Sequence, residues 1–94
     1  MKPKVDAGPA DTLAPTADGL TDYDRLHLIT YIMLLDAAKE GVEPLECARV
    51  ILQIDPVAEP ERALQSYESH LARAQWMTRS GYQQILNDPA LRQS

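Results

Sequence analysis

The fold of this chain follows mainly from its longest helix-forming stretch, residues 60–80, PERALQSYESHLARAQWMTRS. Pro60 suits the first turn of a helix, where its missing N–H costs nothing, and Gly81 suits the left-handed position after a helix end. One side of the stretch forms a stripe that we expect to face the core: Ala63, Tyr67, His70, Leu71, Ala74, Met77 and Thr78. The opposite side is polar except for Trp76. The stretch therefore predicts a long amphipathic helix that carries one isolated aromatic ring on its polar side.

A second long helix is predicted upstream. Thr21 and Asp24 have the spacing of a capping box, so a helix should begin at Thr21. It should run to about Glu40 and end at Gly41, which readily adopts the left-handed conformation.

Two shorter helices complete the prediction. Pro44 opens a helix over residues 44–53, and Asp55-Pro56 ends it because the residue before a proline avoids the helical region. A short last helix is expected over residues 82–87. No stretch alternates with period two for long enough to form a strand. The predicted fold is all-α, with four helices and a helix-turn-helix whose turn is extended over residues 54–59.

Length and composition predict one small domain. Residues 1–20 contain three prolines, two glycines and few large apolar groups, which predicts a disordered leader. The helical domain should cover residues 21–88, with a C-terminal tail over residues 89–94. The first residues lack the apolar run of a secretory signal, and no run of about 18 apolar residues could span a bilayer. A cytoplasmic location is expected.

The negative charge is concentrated in the middle of the chain. Residues 1–20 carry two lysines against three aspartates, for −1, and residues 60–94 carry four arginines against three acids, for +1. Residues 21–59 carry three basic residues against eight acids, for −5, which is also the net charge of the whole chain. Phosphate neutralisation supplies most sequence-independent affinity for DNA. The charge therefore disfavours nucleic-acid binding without help from another protein.

The predicted first helix is apolar almost all round. One arc contains Tyr23, Leu26, Ile29, Met33, Leu34 and Ala37, and a second contains Leu28, Tyr31, Ile32 and Leu35. Such a helix must be covered on both sides. Either the other helices surround it, or one arc meets a partner. On the second interpretation, Leu28, Tyr31, Ile32 and Leu35 are the candidate partner contacts, with Arg73 and Trp76 as the alternative patch.

The sequence favours a binding protein and not an enzyme. His70 falls within a core stripe, and Cys47 has no second cysteine with which to form a disulfide or a thiolate metal site. No phosphate-binding loop, paired-histidine motif or nucleophile elbow is present. We therefore expect no catalytic residues, no cofactor, no metal and no membrane partner.

Several segments of the sequence resemble a known protein family. They are 20–25 (LTDYDR), 34–36 (LLD), 46–52 (ECARVIL) and 73–82 (RAQWMTRSGY), and the most specific of them is the last. Together they resemble the proteobacterial family called domain of unknown function 2285, over residues 20 to about 87.

This resemblance implies an extended-turn helix-turn-helix fold and a role in transcription. In that family, activator members contact DNA through a basic face, whereas small acidic members act as antiactivators in integrative and conjugative elements. An antiactivator binds the N-terminal domain of the activator and blocks genes for excision and transfer. The resemblance thus implies a protein partner, a transcriptional activator of the same family, with a quorum-sensing regulator as a further candidate. Acidic residues at the turn and at the start of the long helix depart from the DNA-binding pattern: Asp55, Glu59, Glu61 and Glu68.

Two other functions stay open at this point. The chain could be a DNA-binding repressor that uses Arg62, Arg73 and Arg79 of the long helix. It could also be an antitoxin-like or adaptor subunit of an unrelated complex.

Overall fold

The computed structural model describes residues 13–81, together with residues 84 and 86. The described helices are α1 (Asp22–Leu26), α2 (Leu28–Lys39), α3 (Pro44–Cys47) and α4 (Pro60–Arg79), and a π-helical turn (Ala48–Leu52) continues α3. No strand occurs in this part of the chain. A short helix, an extended turn and a long helix follow one another, which confirms the prediction of an all-α fold of helix-turn-helix type.

Helix α4 provides one wall of the core. It contacts α2, α3 and the π-helical turn. The main cluster of buried apolar side chains lies between these elements: Leu34, Cys47, Ala48, Leu52, Ile54, Ala63 and Tyr67. A second cluster, made of Tyr31, Ala74 and Met77, lies further along α4. The predicted core stripe of α4 is thus largely confirmed, although Leu71 is only half-buried and Thr78 is exposed.

The predicted first helix is interrupted at His27, so the prediction of one continuous helix was wrong. The capping box of Thr21 and Asp24 is present, but His27 ends α1 with backbone angles outside the helical region. Its backbone N–H and ring Nδ1 both lie 3.0 Å from the carbonyl oxygen of Tyr23, and its ring stacks on that of Tyr23 at 4.0 Å. Residues 22–39 therefore form two helices and not one.

The predicted second helix ends in a π-helical turn, which the sequence did not indicate. Gln53 adopts the left-handed conformation, with φ of 62°, and its N–H donates to the carbonyl of Ala48, which closes the π-helical turn. The N–H of Ile54 donates to the same carbonyl at 3.0 Å. The carboxylate of Asp55 then accepts from the N–H groups of Val57 and Ala58, which orders the extended turn before α4.

The predicted leader falls partly outside the described residues. Residues 1–12 lie there, as do residues 82, 83, 85 and 87–94, so the predictions of a last helix and a C-terminal tail concern residues that are mostly not described. The described end of the predicted leader contacts the domain. Ala14 is buried, its N–H donates to Ser69 Oγ at 3.0 Å, and the N–H of Leu20 donates to Gln84 Oε1 at 2.8 Å. These contacts attach the described end of the segment to the helical domain.

None of the helices in the described ranges combines the length and the apolar character needed to cross a lipid bilayer.

Candidate protein-binding surface

Two of the six predicted partner-binding residues lie in the interior. Tyr31 is 2% exposed and Arg73 is 4% exposed. A side chain with so little accessible surface cannot make the first contact with a partner. Their assignment as contact residues is corrected by this burial, and both belong to one buried polar cluster.

The centre of that cluster is an ion pair between α1 and α4. Arg73 Nη2 and Nε lie 2.6 Å and 3.0 Å from the two carboxylate oxygens of Asp24, which is fully buried. The remaining donors of the same guanidinium reach the carbonyl oxygens of Ala17 at 2.7 Å and Gly19 at 2.9 Å. Arg73 therefore joins α1, α4 and the segment before α1. We call this cluster, with Tyr31 added, the Arg73 cluster.

Tyr31 and the backbone of Thr21 complete the environment of Asp24. The Tyr31 hydroxyl donates to Asp24 Oδ1 at 2.7 Å, and the N–H of Thr21 donates to Oδ2 at 2.9 Å. Burial raises the pKa of the Asp24 carboxyl, but the hydrogen bonds from Arg73, Thr21 and Tyr31 outweigh burial and hold this pKa below its ordinary value. Burial and the neighbouring carboxylate raise the pKa of the Tyr31 phenol. Asp24 is thus a buried carboxylate that stays charged.

His70 also has a structural role in α4, as its place in the core stripe predicted. Its Nδ1 lies 2.7 Å from the carbonyl oxygen of Ser66, and its Nε2 lies 2.6 Å from the hydroxyl of Tyr23. The carbonyl can only accept, so Nδ1 carries a proton, and Nε2 is hydrogen-bonded to the Tyr23 hydroxyl. The imidazole is fully buried and connects α1 to α4.

Trp76 lies beside the Arg73 cluster and is half-buried. The Arg73 guanidinium carbon lies 4.0 Å from the centre of the Trp76 ring, in cation–π geometry. Together with Ser69 and Ala72, these two residues face residues 14–18 across a shallow pocket of about 250 Å³. A last helix over residues 82–87 could also cover this ring, but those residues lie mostly outside the described part of the chain. The segment before α1 was not expected to cover it.

The three remaining candidate contact residues differ in the exposure of their side chains. Leu28 and Leu35 are half-buried and pack on the second core cluster, which contains Tyr31. Ile32 is 56% exposed. The arc proposed as a partner surface is therefore mainly the inner side of α2, and Ile32 is the one of its four members that is accessible.

The accessible apolar side of α2 combines Ile32 with two residues that were assigned to the other arc. Ile29 and Met33 are exposed, one turn apart, and Ile32 lies between them. We call Ile29, Ile32 and Met33 the α2 outer surface. Sequence reasoning named Ile32 but missed Ile29 and Met33, because periodicity shows that α2 is apolar on both sides and does not show which side faces the core.

A groove continues this surface toward the π-helical turn. It lies between the second half of α2 and the segment from Val42 to Ile51, and it measures about 490 Å³. Its apolar lining consists of Met33, Ala37, Val42, Cys47, Val50 and Ile51. Three carboxylates complete the lining: Asp36, Glu40 and Glu46. We call this feature the acidic groove.

The carboxylates of the groove differ in their pairing. Glu46 pairs with the exposed Arg49, and this hydrogen bond lowers the pKa of the Glu46 carboxyl. Neither Asp36 nor Glu40 pairs with a described basic side chain, and both are exposed. Lys39 lies on the same turn of α2 but does not line the groove. The groove therefore combines exposed apolar surface with negative charge.

The outer side of α4 has little positive charge to offer a phosphate backbone. Arg73 is buried on Asp24, and Arg62 pairs with Glu59 at 3.1 Å. Arg79 is exposed near the end of the helix, whereas Glu61 and Glu68 are exposed along it. Of the three arginines in the repressor hypothesis, Arg73 is thus inaccessible and Arg62 is neutralised by a neighbouring acid.

Fold and surface together define a small helical domain of helix-turn-helix type with an exposed apolar and acidic face. Among the described residues, no group of three His, Cys, Asp or Glu side chains is placed to hold a metal ion. No protein-family model matches the chain, and no curated protein matches it. The resemblance to domain of unknown function 2285 stays a prediction.

Proposed function

We propose that this chain is an antiactivator: it binds a transcriptional activator and prevents expression of the genes that the activator controls, without binding DNA. The resemblance in sequence suggests that the activator belongs to the same family and that the controlled genes serve excision and transfer of a conjugative element. The observation that carries the proposal is the acidic groove with the adjoining α2 outer surface, which exposes apolar side chains of the kind that protein interfaces bury.

The charge of α4 supports the same function. A helix-turn-helix that reads DNA places its long helix against phosphates, where arginine and lysine are favoured. Here Glu61 and Glu68 are exposed on α4, and Arg73 is withdrawn into the core. A domain with this charge distribution is better suited to binding an activator than to binding DNA in its place.

A pull-down with the tagged chain as bait, from cells that carry the element, tests the proposal. We expect capture of the activator, and we expect Ile32→Asp to abolish it because a carboxylate would be placed in the centre of the α2 outer surface. The matched control is Val57→Asp. Val57 is 89% exposed, lies in the turn before α4 and does not line the acidic groove. This variant should capture the activator as well as the wild type does.

A gel shift separates the antiactivator from the repressor. At ~100–150 mM salt, where non-specific binding is weak, the isolated chain should not retard promoter DNA of its own element. Specific retardation by the chain alone would refute the proposal and favour the repressor, and so would equal capture of the activator by Ile32→Asp and the wild type.

A further inference from the structure

The acidic groove has the chemistry of a receptor for a helix. Its lining is apolar where α2 meets the π-helical turn, at Met33, Val42 and Val50, which are all exposed. An amphipathic helix that enters such a groove buries residues spaced three and four apart. The groove borders the first core cluster, to which its lining residue Cys47 belongs, and none of its lining residues belongs to the second core cluster.

The charge of the groove selects among possible occupants. Asp36 and Glu40 are separated by one turn of α2, and Glu46 lies on the opposite wall. A helix with lysine or arginine beside its apolar ridge would meet these carboxylates, whereas an acidic helix would be repelled. A second copy of this chain is disfavoured as the occupant because it would bring its own acidic groove to the contact, and the chain carries a net charge of −5.

We propose that the acidic groove binds one amphipathic helix of the partner protein, with apolar residues on one face and basic residues beside them. This inference deepens the proposed function, since the helix would belong to the activator. It assigns the groove as the docking site and gives the chemical class of the segment that docks there.

A peptide titration tests the inference without the activator. The probe is an 18-residue peptide of leucine and lysine, with leucine at amphipathic helical spacing. Its two controls are a leucine–glutamate peptide of the same pattern and a scrambled leucine–lysine peptide of the same composition. Amide chemical shifts locate the site, and fluorescence of labelled peptide measures affinity at ~150 mM salt, where distant charges are screened.

We expect the patterned leucine–lysine peptide to bind, with the largest shifts at Met33, Val42 and Val50. Val50→Asp should weaken binding at least ~10-fold, which corresponds to ~1.4 kcal/mol. The matched control Val57→Asp replaces an exposed valine outside the groove lining and should bind as the wild type does. Asp36→Asn combined with Glu40→Gln leaves the apolar lining in place, and it should weaken binding and reduce its dependence on salt.

Three outcomes would overturn the inference. The scrambled or the leucine–glutamate peptide could bind as tightly as the patterned leucine–lysine peptide. Val50→Asp, shown to be folded by circular dichroism, could bind like the wild type. Sedimentation could reveal dimers of the chain that Val50→Asp dissociates, which would make a second copy the occupant.

The peptide and pull-down results distinguish the two proposals. Peptide binding in the groove without capture of an activator would refute the proposed function and leave the docking chemistry in place. Capture of the activator without peptide binding would refute this inference and leave the antiactivator in place.

Discussion

The carboxylates at the two ends of this domain differ in burial and in pairing. At one end, Asp24 is fully buried and meets the guanidinium of Arg73 through two hydrogen bonds. At the other end, Asp36 and Glu40 are exposed beside apolar side chains and have no described basic partner. A buried carboxylate must be paired, whereas an exposed one is solvated and remains available.

This difference separates a structural role from a binding role. The Arg73 cluster joins α1, α4 and the residues before α1: the Asp24 carboxylate accepts from Arg73, Tyr31 and the backbone of Thr21, and Arg73 also donates to two backbone carbonyls. In the acidic groove, two carboxylates have no described basic partner and several apolar side chains are exposed. We therefore expect substitutions in the Arg73 cluster to change stability, and substitutions in the groove to change binding.

The largest expected effect is from Arg73→Ala. This change leaves the Asp24 carboxylate buried without its partner, and breaking a buried pair in this way costs ~3–5 kcal/mol in the free energy of unfolding. It also releases the carbonyl oxygens of Ala17 and Gly19. Urea unfolding followed by circular dichroism measures the loss.

Arg62→Ala is the matched control. It breaks the exposed pair with Glu59 on the same helix, and exposed pairs contribute below ~1 kcal/mol. Equal losses for the two variants would show that the Arg73 cluster is not the stabilising feature that its burial indicates.

A second effect is a dependence of stability on pH. The pKa of Asp24 is lower in the folded protein than its ordinary value of 3.8. The stability that Asp24 contributes is therefore fully present above about pH 4, and it is lost as the pH falls through the lower, folded pKa. Unfolding midpoints measured between pH 6 and pH 2 should fall in the wild type over this acidic range.

Tyr31→Phe should reduce that acid-dependent loss. It removes the hydroxyl that donates to Asp24 and thereby weakens the depression of the Asp24 pKa. At neutral pH the loss of a hydrogen bond to a charged group should cost ~1.5–3 kcal/mol. Glu46→Gln, in the acidic groove, should change the acid dependence less, because Glu46 is exposed and paired only with Arg49. An unchanged profile in Tyr31→Phe would contradict the assignment of Asp24 as the acid-sensitive group.

The smallest expected effect lies at the groove end of the molecule. Gln53 adopts a φ of 62°, a conformation that costs a non-glycine residue roughly 1–2 kcal/mol. Gln53→Gly should remove that cost, but glycine loses more conformational entropy on folding than glutamine does. We therefore expect a net stabilisation below ~1 kcal/mol, measured by thermal unfolding. Gly41, with φ of 81°, supplies the reverse test, since Gly41→Ala should destabilise the protein. A gain from Gly41→Ala would contradict this account of the two positions.

Much of the architecture could be predicted from local sequence. The capping box of Thr21 and Asp24 and the first-turn positions of Pro44 and Pro60 are all present in the structure. These signals act within a few residues, so they can be identified without knowledge of the fold. The break at His27 could not be predicted in this way, because it depends on Tyr23 and Asp24 reaching His70 and Arg73 of a distant helix.

The candidate site was predicted less well for the same reason. Periodicity identified α2 as apolar on both sides, but it could not say which side the core would take. Tyr31 turned inward because its hydroxyl reaches Asp24, and that contact places Ile29, Ile32 and Met33 on the outside.

Composition and local periodicity establish that this chain is all-α, acidic in its middle segment and built around one long amphipathic helix. Which charges are neutralised depends instead on the packing of helices that are distant in sequence. Arg73 and Asp24 are 49 positions apart in sequence, and their pairing depends on how α1 packs on α4. The same packing turned the predicted partner residues Tyr31 and Arg73 into structural ones, and left the acidic groove as the exposed surface.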